Sequence, residues 1–382
     1  MVMHNVAEAT ETSQTDRRPL TQGLIDCDVH PLITDMSKVR NRMSKRAARR
    51  LEVLGHIGGA AREPNRVLHP TGPLRLDAMT PSGGLPGSDP EFTRHELLDP
   101  YGVTAAVLVP VQAAAVLPWG DEVAVGEYLA GLNDTLIEEW LSADTRYKLA
   151  ISVSPHDAKS AVREVERLAD VPGVVAINIP LAEVHPGRPA LHDLYAAAEE
   201  LELPVLMHPT GGEGNLLDAP NFAGGLVRTY PEHHIMLAQS GQAAVAGFVL
   251  GGVFERFPRL KLVFAEFGFS WVPSLMWRLD ANWERTGGAE VTGLTRPPSE
   301  MIKDQVRFTT QPLDEPADRR QLDAVFDAVE AGRTLLFSSD YPHWDADDPL
   351  VIFNKRLPEP LRERIAWGSA VETFGRLDVD LP

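Results

Sequence analysis

The sequence predicts an α/β fold: eight parallel strands and their intervening helices closed into a (β/α)₈ TIM-like barrel. Three observations carry this. β-rich apolar runs alternate with helix-prone runs along the chain. The β-rich runs are almost continuously apolar, as in strands buried on both faces. Four of them deliver an acid or a histidine at their C-terminal end. These are Ile25-Asp26-Cys27-Asp28-Val29-His30, Val205-Leu206-Met207-His208, Val263-Phe264-Ala265-Glu266 and Leu336-Phe337-Ser338-Ser339-Asp340. A closed parallel barrel gathers such strand ends at one face and places its chemistry there.

Taken in order, the first strand spans Leu24 to Val29 and the second Val103 to Val109, followed by a helix over Asp121 to Leu141. Tyr147 to Val153 is the third strand, with a helix over Asp157 to Ala169. Gly173 to Ile179 is the fourth, with a helix from Ala190 to Leu201. Pro204 to His208 is the fifth, and a long helix is expected from Gly241 to Phe257. Lys261 to Glu266 is the sixth, with Val272 to Arg285 helical after it. Gln305 to Thr309 is the seventh, with a helix from Pro316 to Ala331, and Arg333 to Ser339 the eighth. Two helical stretches close the chain, around Glu359 to Trp367 and Ser369 to Leu377. An open doubly wound sheet would carry a glycine-rich turn after its first strand. Here that strand runs into Asp28-Val29-His30-Pro31 instead.

Residues 1–22 are polar, lack the apolar core of a secretory signal and read as a disordered tail. Residues 23–382 read as a single barrel domain with an insertion at about 36–95. Met36 to Leu54 is basic and helix-prone; Gly58 to Pro90 is rich in Gly and Pro. A loop well beyond about 15 residues in a compact domain is usually functional or disordered. Following the first strand, this one is placed over the barrel mouth. It is expected to act as a lid or substrate wall that two copies in a homodimer could share; the bland alternative is a surface excursion.

The chain has 382 residues, 43% of them hydrophobic, enough for a sizeable core. A formal net charge of −18 argues against nucleic acid or anionic membrane as partner. Cys27 is the single cysteine, which fits a reducing compartment. No apolar run approaches the roughly 20 residues of a membrane span. A cytoplasmic protein acting on a small molecule is the expectation.

Asp28 and His30 flank Val29, and residues two apart on a strand face the same way. With His208 and Asp340 they make a mixed N/O set for one divalent ion, zinc first, with manganese, iron or cobalt also suited. Taken singly, each has an ordinary explanation: an exposed Asp-x-His, a hydrogen-bonded core histidine before Pro209, a turn-forming Asp beside Pro342. Joint placement at strand ends favours the metal reading. His56, His69, His95, His156, His185 and His192 read as surface residues. Of His233 and His234, one could face the mouth.

Five segments carry a family resemblance: IDCDVHP, LMHP, FPRLKLVFAEFG, LLFSSDYPHWD and IAWGSAVETFG. In their order and spacing the chain resembles the amidohydrolase-related group typified by aminocarboxymuconate semialdehyde decarboxylase, over nearly all of its length after the tail. The resemblance implies a distorted barrel with one divalent metal held by Asp28, His30, His208 and Asp340. Two positions depart from the family pattern. Asp-x-His replaces the commoner His-x-His, and Glu266 stands on the sixth strand where decarboxylases of the group usually carry His. The fourth strand ends Ala176-Ile177-Asn178, without a lysine to bridge two metals.

The first functional expectation is therefore a metal-dependent hydrolase of a small cyclic or aromatic carboxylate, amide or lactone, acting through metal-activated water. Asp340 and Glu266 are its candidate bases, and His343 a further catalytic or substrate-contacting residue. Glu266 could instead be a structural carboxylate paired with an arginine. The alternative chemistry is metal-dependent non-oxidative decarboxylation of an aromatic or unsaturated acid. A second alternative is a barrel that binds a ligand without catalysis. Trp271 is expected to line the pocket and Trp277 to pack on the barrel.

Overall fold

The computed structural model describes residues 23–61, 74–213, 219–286, 293–353 and 357–380. The tail and part of the expected lid, residues 62–73, lie outside the described residues. Eight strands form one sheet: β1 (Leu24–Val29), β2 (Val103–Leu108), β3 (Tyr147–Ser152), β4 (Val174–Asn178), β5 (Val205–Met207), β6 (Leu262–Phe264), β7 (Val306–Thr309) and β8 (Leu335–Leu336). They pair in sequence order, every pair parallel. Parallel neighbours need a crossover, and helices supply it between most strands. The chain past β8 closes the ring against β1. Cys27 N–H donates to Phe337 O (2.9 Å), Asp340 N–H to Asp28 O (3.0 Å) and His30 N–H to Tyr341 O (2.8 Å).

The strand interior is filled by alternate residues. Ile25, Cys27, Val107, Leu206, Val263 and Leu336 meet the small side chains Ala105, Ala150, Ala176 and Ala265 in one buried cluster. Ala370, Phe374 and Leu377 join that cluster from the C-terminal segment and plug it. The outer strand faces pack on the helices in a second, larger cluster.

A register shift between Asp26 and Val29 decides where the β1 side chains go. Asp26 pairs with Ala106 and Val29 with Leu108, so β1 carries one extra residue there. Ile25, before the shift, and Cys27, within it, join the interior cluster, while Val29 joins the outer layer after it. The bulge thus lets Asp28 and His30 turn inward past an already inward Cys27; bulges beside active sites re-aim side chains in this way.

Three elements differ from expectation. The long helix runs Tyr230–Leu250 and starts at Tyr230, not Gly241. Its start is fixed by Thr229, whose hydroxyl accepts from Glu232 N–H (3.3 Å), with Pro231 in the first turn. The regular part of β8 is only Leu335–Leu336, because Ala331–Thr334 is a helical turn. On the Val272–Thr286 helix, Trp277 is 66% exposed and does not pack on the barrel.

Candidate metal centre

Asp28, His30, His208 and Asp340 arrive from three strand ends at one buried point. Each offers a ligand atom, and those atoms all lie within 4.8 Å of one another. His30 Nδ1 lies 2.8 Å from Val109 O, and His208 Nδ1 2.6 Å from Pro209 O. A carbonyl only accepts, so each Nδ1 carries the proton and each Nε2 presents a lone pair inward. His30 Nε2 then faces Asp340 Oδ1 at 2.7 Å and Asp28 Oδ1 at 3.5 Å; His208 Nε2 lies 3.8 Å from Asp28 Oδ2. Both Asp28 oxygens, Asp340 Oδ2 and His208 Nε2 are buried without a hydrogen-bond partner. Acceptors aimed at acceptors in a buried site are costly unless a cation lies between them. Two imidazoles and two carboxylates therefore fit a divalent ion.

The electrostatics match. Burial holds the Asp28 carboxyl well above the usual carboxylate range, and burial pushes His208 down to about 3. For Asp340 burial acts upward, but His343 and His30 outweigh it and keep the group below its ordinary value. Behind the centre, Asp26 is fully buried. Its Oδ1 accepts from Ser339 N–H (2.9 Å) and Asp28 N–H (3.3 Å), tying β1 to the chain after β8.

Glu266 and His343 sit beside this set and, with Asp340, form a second close group. Asp340 (φ 61°) and Glu266 (φ 63°) both occupy the left-handed region, uncommon for non-glycine residues. Such backbone costs on the order of 1–3 kcal/mol and clusters at functional sites. Glu266 N–H donates to Thr309 Oγ1 (3.1 Å), and its Oε2 lies 3.0 Å from His208 Nε2. Its partner is thus a histidine; among the described residues no arginine pairs with it. Burial, then the Asp340 charge, raises Glu266 to about 8. His343 donates from Nδ1 to Asp340 Oδ1 (2.8 Å), with its ring 4.4 Å from that of His30. Burial acts to lower His343, but the Asp340 charge and hydrogen bond raise it to about 9.

Around the mouth stand residues that sequence reasoning left open, as with His234, or left out, as with Tyr230 and Asp345. His234 is the histidine of its pair that faces the site, grouped with Glu266 and Asp345. His234 Nε2 lies 2.9 Å from Asp345 Oδ2. Tyr230 stacks on His234 with centroids 5.9 Å apart, and its hydroxyl accepts from Trp344 Nε1–H (2.9 Å). His233 turns instead toward buried Glu213, 3.6 Å away. Trp271 does not line the site: its Nε1–H donates to Phe267 O (2.8 Å), and its ring packs edge-on against Phe308. Asp345 had a signal, its place in the motif after β8. His234 had the Thr229 capping position, which points the first turns of its helix at the site.

The described part of the insertion reaches the mouth. Leu74 bridges His343, Arg75 N–H donates to Pro342 O (2.9 Å), and Leu32 N–H donates to Gly87 O (2.7 Å).

A family model described as Amidohydrolase matches residues 25–376, and the chain belongs to that family. Within it, the chain falls in the group related to aminocarboxymuconate semialdehyde decarboxylase, and it is an enzyme of the amidohydrolase superfamily. Gamma-resorcylate decarboxylase from Polaromonas sp. is 26% identical over 313 residues, covering 75% of this chain and 87% of that protein. An amidohydrolase from Mycobacterium avium subsp. paratuberculosis superposes with a TM-score of 0.70 at 19% identity, over 92% of this chain and 99% of the other. The 5-carboxyvanillate decarboxylase of Novosphingobium aromaticivorans, solved with manganese and 4-hydroxy-3-methoxy-5-nitrobenzoic acid, gives a TM-score of 0.65 at 15% identity, over 96% and 100%. Among the described residues no helix is long and apolar enough to cross a membrane.

Proposed function

We propose that the protein is a metal-dependent carboxy-lyase that removes CO₂, without an oxidant, from an aromatic or unsaturated carboxylic acid carrying a neighbouring hydroxyl. One juxtaposition carries the reading: an orphaned, buried N/O donor set beside Glu266, a buried carboxyl that retains its proton toward neutrality. The likeness to gamma-resorcylate decarboxylase supports this chemistry over the metal-activated hydrolysis expected first. Asp28, His30, His208 and Asp340 would hold the ion. The set accommodates zinc, and equally manganese, the metal in the solved carboxyvanillate decarboxylase.

When bound, the ion would neutralise the substrate carboxylate and the adjacent hydroxyl oxygen as a Lewis acid. Glu266 is the proton donor: its Oε–H is transferred to the carbon that bears the carboxylate. The bond from that carbon to the carboxylate then breaks, CO₂ leaves, and the electron pair returns to the ring. Glu266, now a carboxylate, regains a proton through His343 or His234 at the mouth. His343, donating from Nδ1, keeps Asp340 ionised and fixed throughout. Residues 74–93 supply a wall beside the substrate.

The test is product analysis. The metal-supplemented protein is incubated with hydroxybenzoic acids in D₂O and, separately, in ¹⁸O-water. Release of CO₂ with one deuterium at the vacated carbon is expected. Product that gains ¹⁸O without CO₂ would establish hydrolysis instead.

A further inference from the structure

His208 is held by more than its own hydrogen bond. Its Nδ1–H donates to Pro209 O (2.6 Å). That carbonyl belongs to the peptide unit joining Pro209 to Thr210, a planar trans unit whose C=O and N–H point opposite ways. At the other pole of the same unit, Thr210 N–H donates to Glu213 Oε1 (2.6 Å). Thr210 Oγ1–H donates to that oxygen as well (3.0 Å), and Gly212 N–H to Thr210 Oγ1 (3.2 Å). Gly211, at φ +73°, turns the chain back so that Glu213 reaches Thr210. Rotating the peptide plane would break the bonds at both poles together, so the Glu213 carboxyl and the His208 imidazole fix it from opposite sides. Glu213 is 0% exposed, and water does not stand ready to replace its oxygen. A backbone N–H left without an acceptor in such a place bears the full cost of desolvation. The other carboxyl oxygen, Oε2, lies 3.6 Å from Nε2 of buried His233, near the start of the helix Tyr230–Leu250. Neither of these two atoms has a hydrogen-bond partner among the described residues.

We propose that Glu213 is a positioning residue for the candidate metal centre: through the Pro209–Thr210 peptide it fixes the ring orientation in which His208 presents Nε2. Outer partners of a ligating histidine set its tautomer and aim, and here one peptide unit stands between the histidine and the carboxyl that does so. The proposal rests on the metal part of the proposed function and is the same for decarboxylation and hydrolysis. The bland alternative is a carboxyl that only closes the turn from Thr210 to Glu213. That role would show in folding stability and leave the ion's affinity in a folded variant unchanged.

The experiment uses Co²⁺ as the probe, a metal suited to this donor set. Its visible absorption reports the ligand arrangement, and competition with a chelator gives its affinity, so no substrate is needed. Glu213→Gln keeps the size and an acceptor oxygen. Glu213→Leu keeps nearly the size and has no acceptor, and Glu213→Ala is a second acceptor-free variant should the leucine not fold. Urea unfolding of each metal-free protein establishes that it is folded. The acceptor-free variants are expected to bind Co²⁺ about 10–100-fold more weakly than the wild type, the usual cost of losing such a partner, and to show an altered visible spectrum. Glu213→Gln should recover most of the affinity and the wild-type spectrum. A folded acceptor-free variant that binds Co²⁺ as tightly as the wild type, with the same spectrum, would overturn the proposal. So would a glutamine variant as weak as the acceptor-free ones, because the effect would then not follow the acceptor. The metal reading fails in a different way: a wild type that takes up no Co²⁺ removes the ion, and the role of Glu213 with it, whereas equal binding by wild type and acceptor-free variants removes only that role.

Discussion

Replacing Glu266 by glutamine separates chemistry from stability, because the two should move in opposite directions. Glu266 is 9% exposed, and its carboxyl is raised from 4.5 to about 8 by burial and the Asp340 charge. In the unfolded chain the group returns to its ordinary value. A folded value above the unfolded one gives a contribution fully present below about pH 4.5 and lost as pH rises through about 8. At 1.36 kcal/mol per unit, the loss is on the order of 4–5 kcal/mol in the metal-free protein. The amide that replaces the carboxyl would not titrate. The metal-free wild type and Glu266→Gln should therefore have similar unfolding free energies near pH 5, with the variant gaining a few kcal/mol on the wild type by pH 9. Urea unfolding at both pH values, after chelation, measures this. With metal restored, turnover should fall by about 10²–10⁴-fold, the usual cost of losing a positioned acid. Metal content should not change. Equal pH dependence in both proteins would falsify the buried-acid reasoning. Loss of metal from the variant would make Glu266 a ligand, and unchanged turnover would make it structural.

Elemental analysis of the purified protein should find about one divalent ion per chain, and His208→Ala should abolish it; two tightly bound equivalents would contradict a single centre. Gly87→Ala should impair turnover and metal retention more than melting temperature. Gly87 has φ +72°, and a Cβ there would lie 2.6 Å from His30 O, so the wall or the His30 backbone must shift. A variant with full activity would remove the insertion from the site. Phe374→Ala, in the plug of the barrel interior, should cost about 3–5 kcal/mol in unfolding free energy; a loss under about 1 kcal/mol would mean that the plug does not bear on the fold.

Much of the candidate centre was legible because its donor residues sit at strand ends, where sequence periodicity and chain direction both speak. Asp28, His30, His208 and Asp340 each close an apolar run, and parallel pairing brings those ends together whatever the details of the helices. What alternation could not supply was the bulge. A strict two-residue period puts Cys27 and Asp28 on opposite faces, yet both turn inward because β1 holds one residue more than β2 between Asp26 and Val29. The left-handed backbone of Glu266 and Asp340 was equally hidden, since neither residue type demands it. His234 and Asp345 come from a helix start and a loop and meet only in three dimensions. The two kinds of residue divide the work along the same line. Strand-end residues are held by barrel closure and by the Asp26 link between Asp28 and Ser339, which makes the candidate centre rigid. Helix and loop residues outside it can change without disturbing closure, so under the proposed function substrate selection would fall to them. His234, Asp345 and the insertion can thus vary from one family member to another while the buried donor set stays intact.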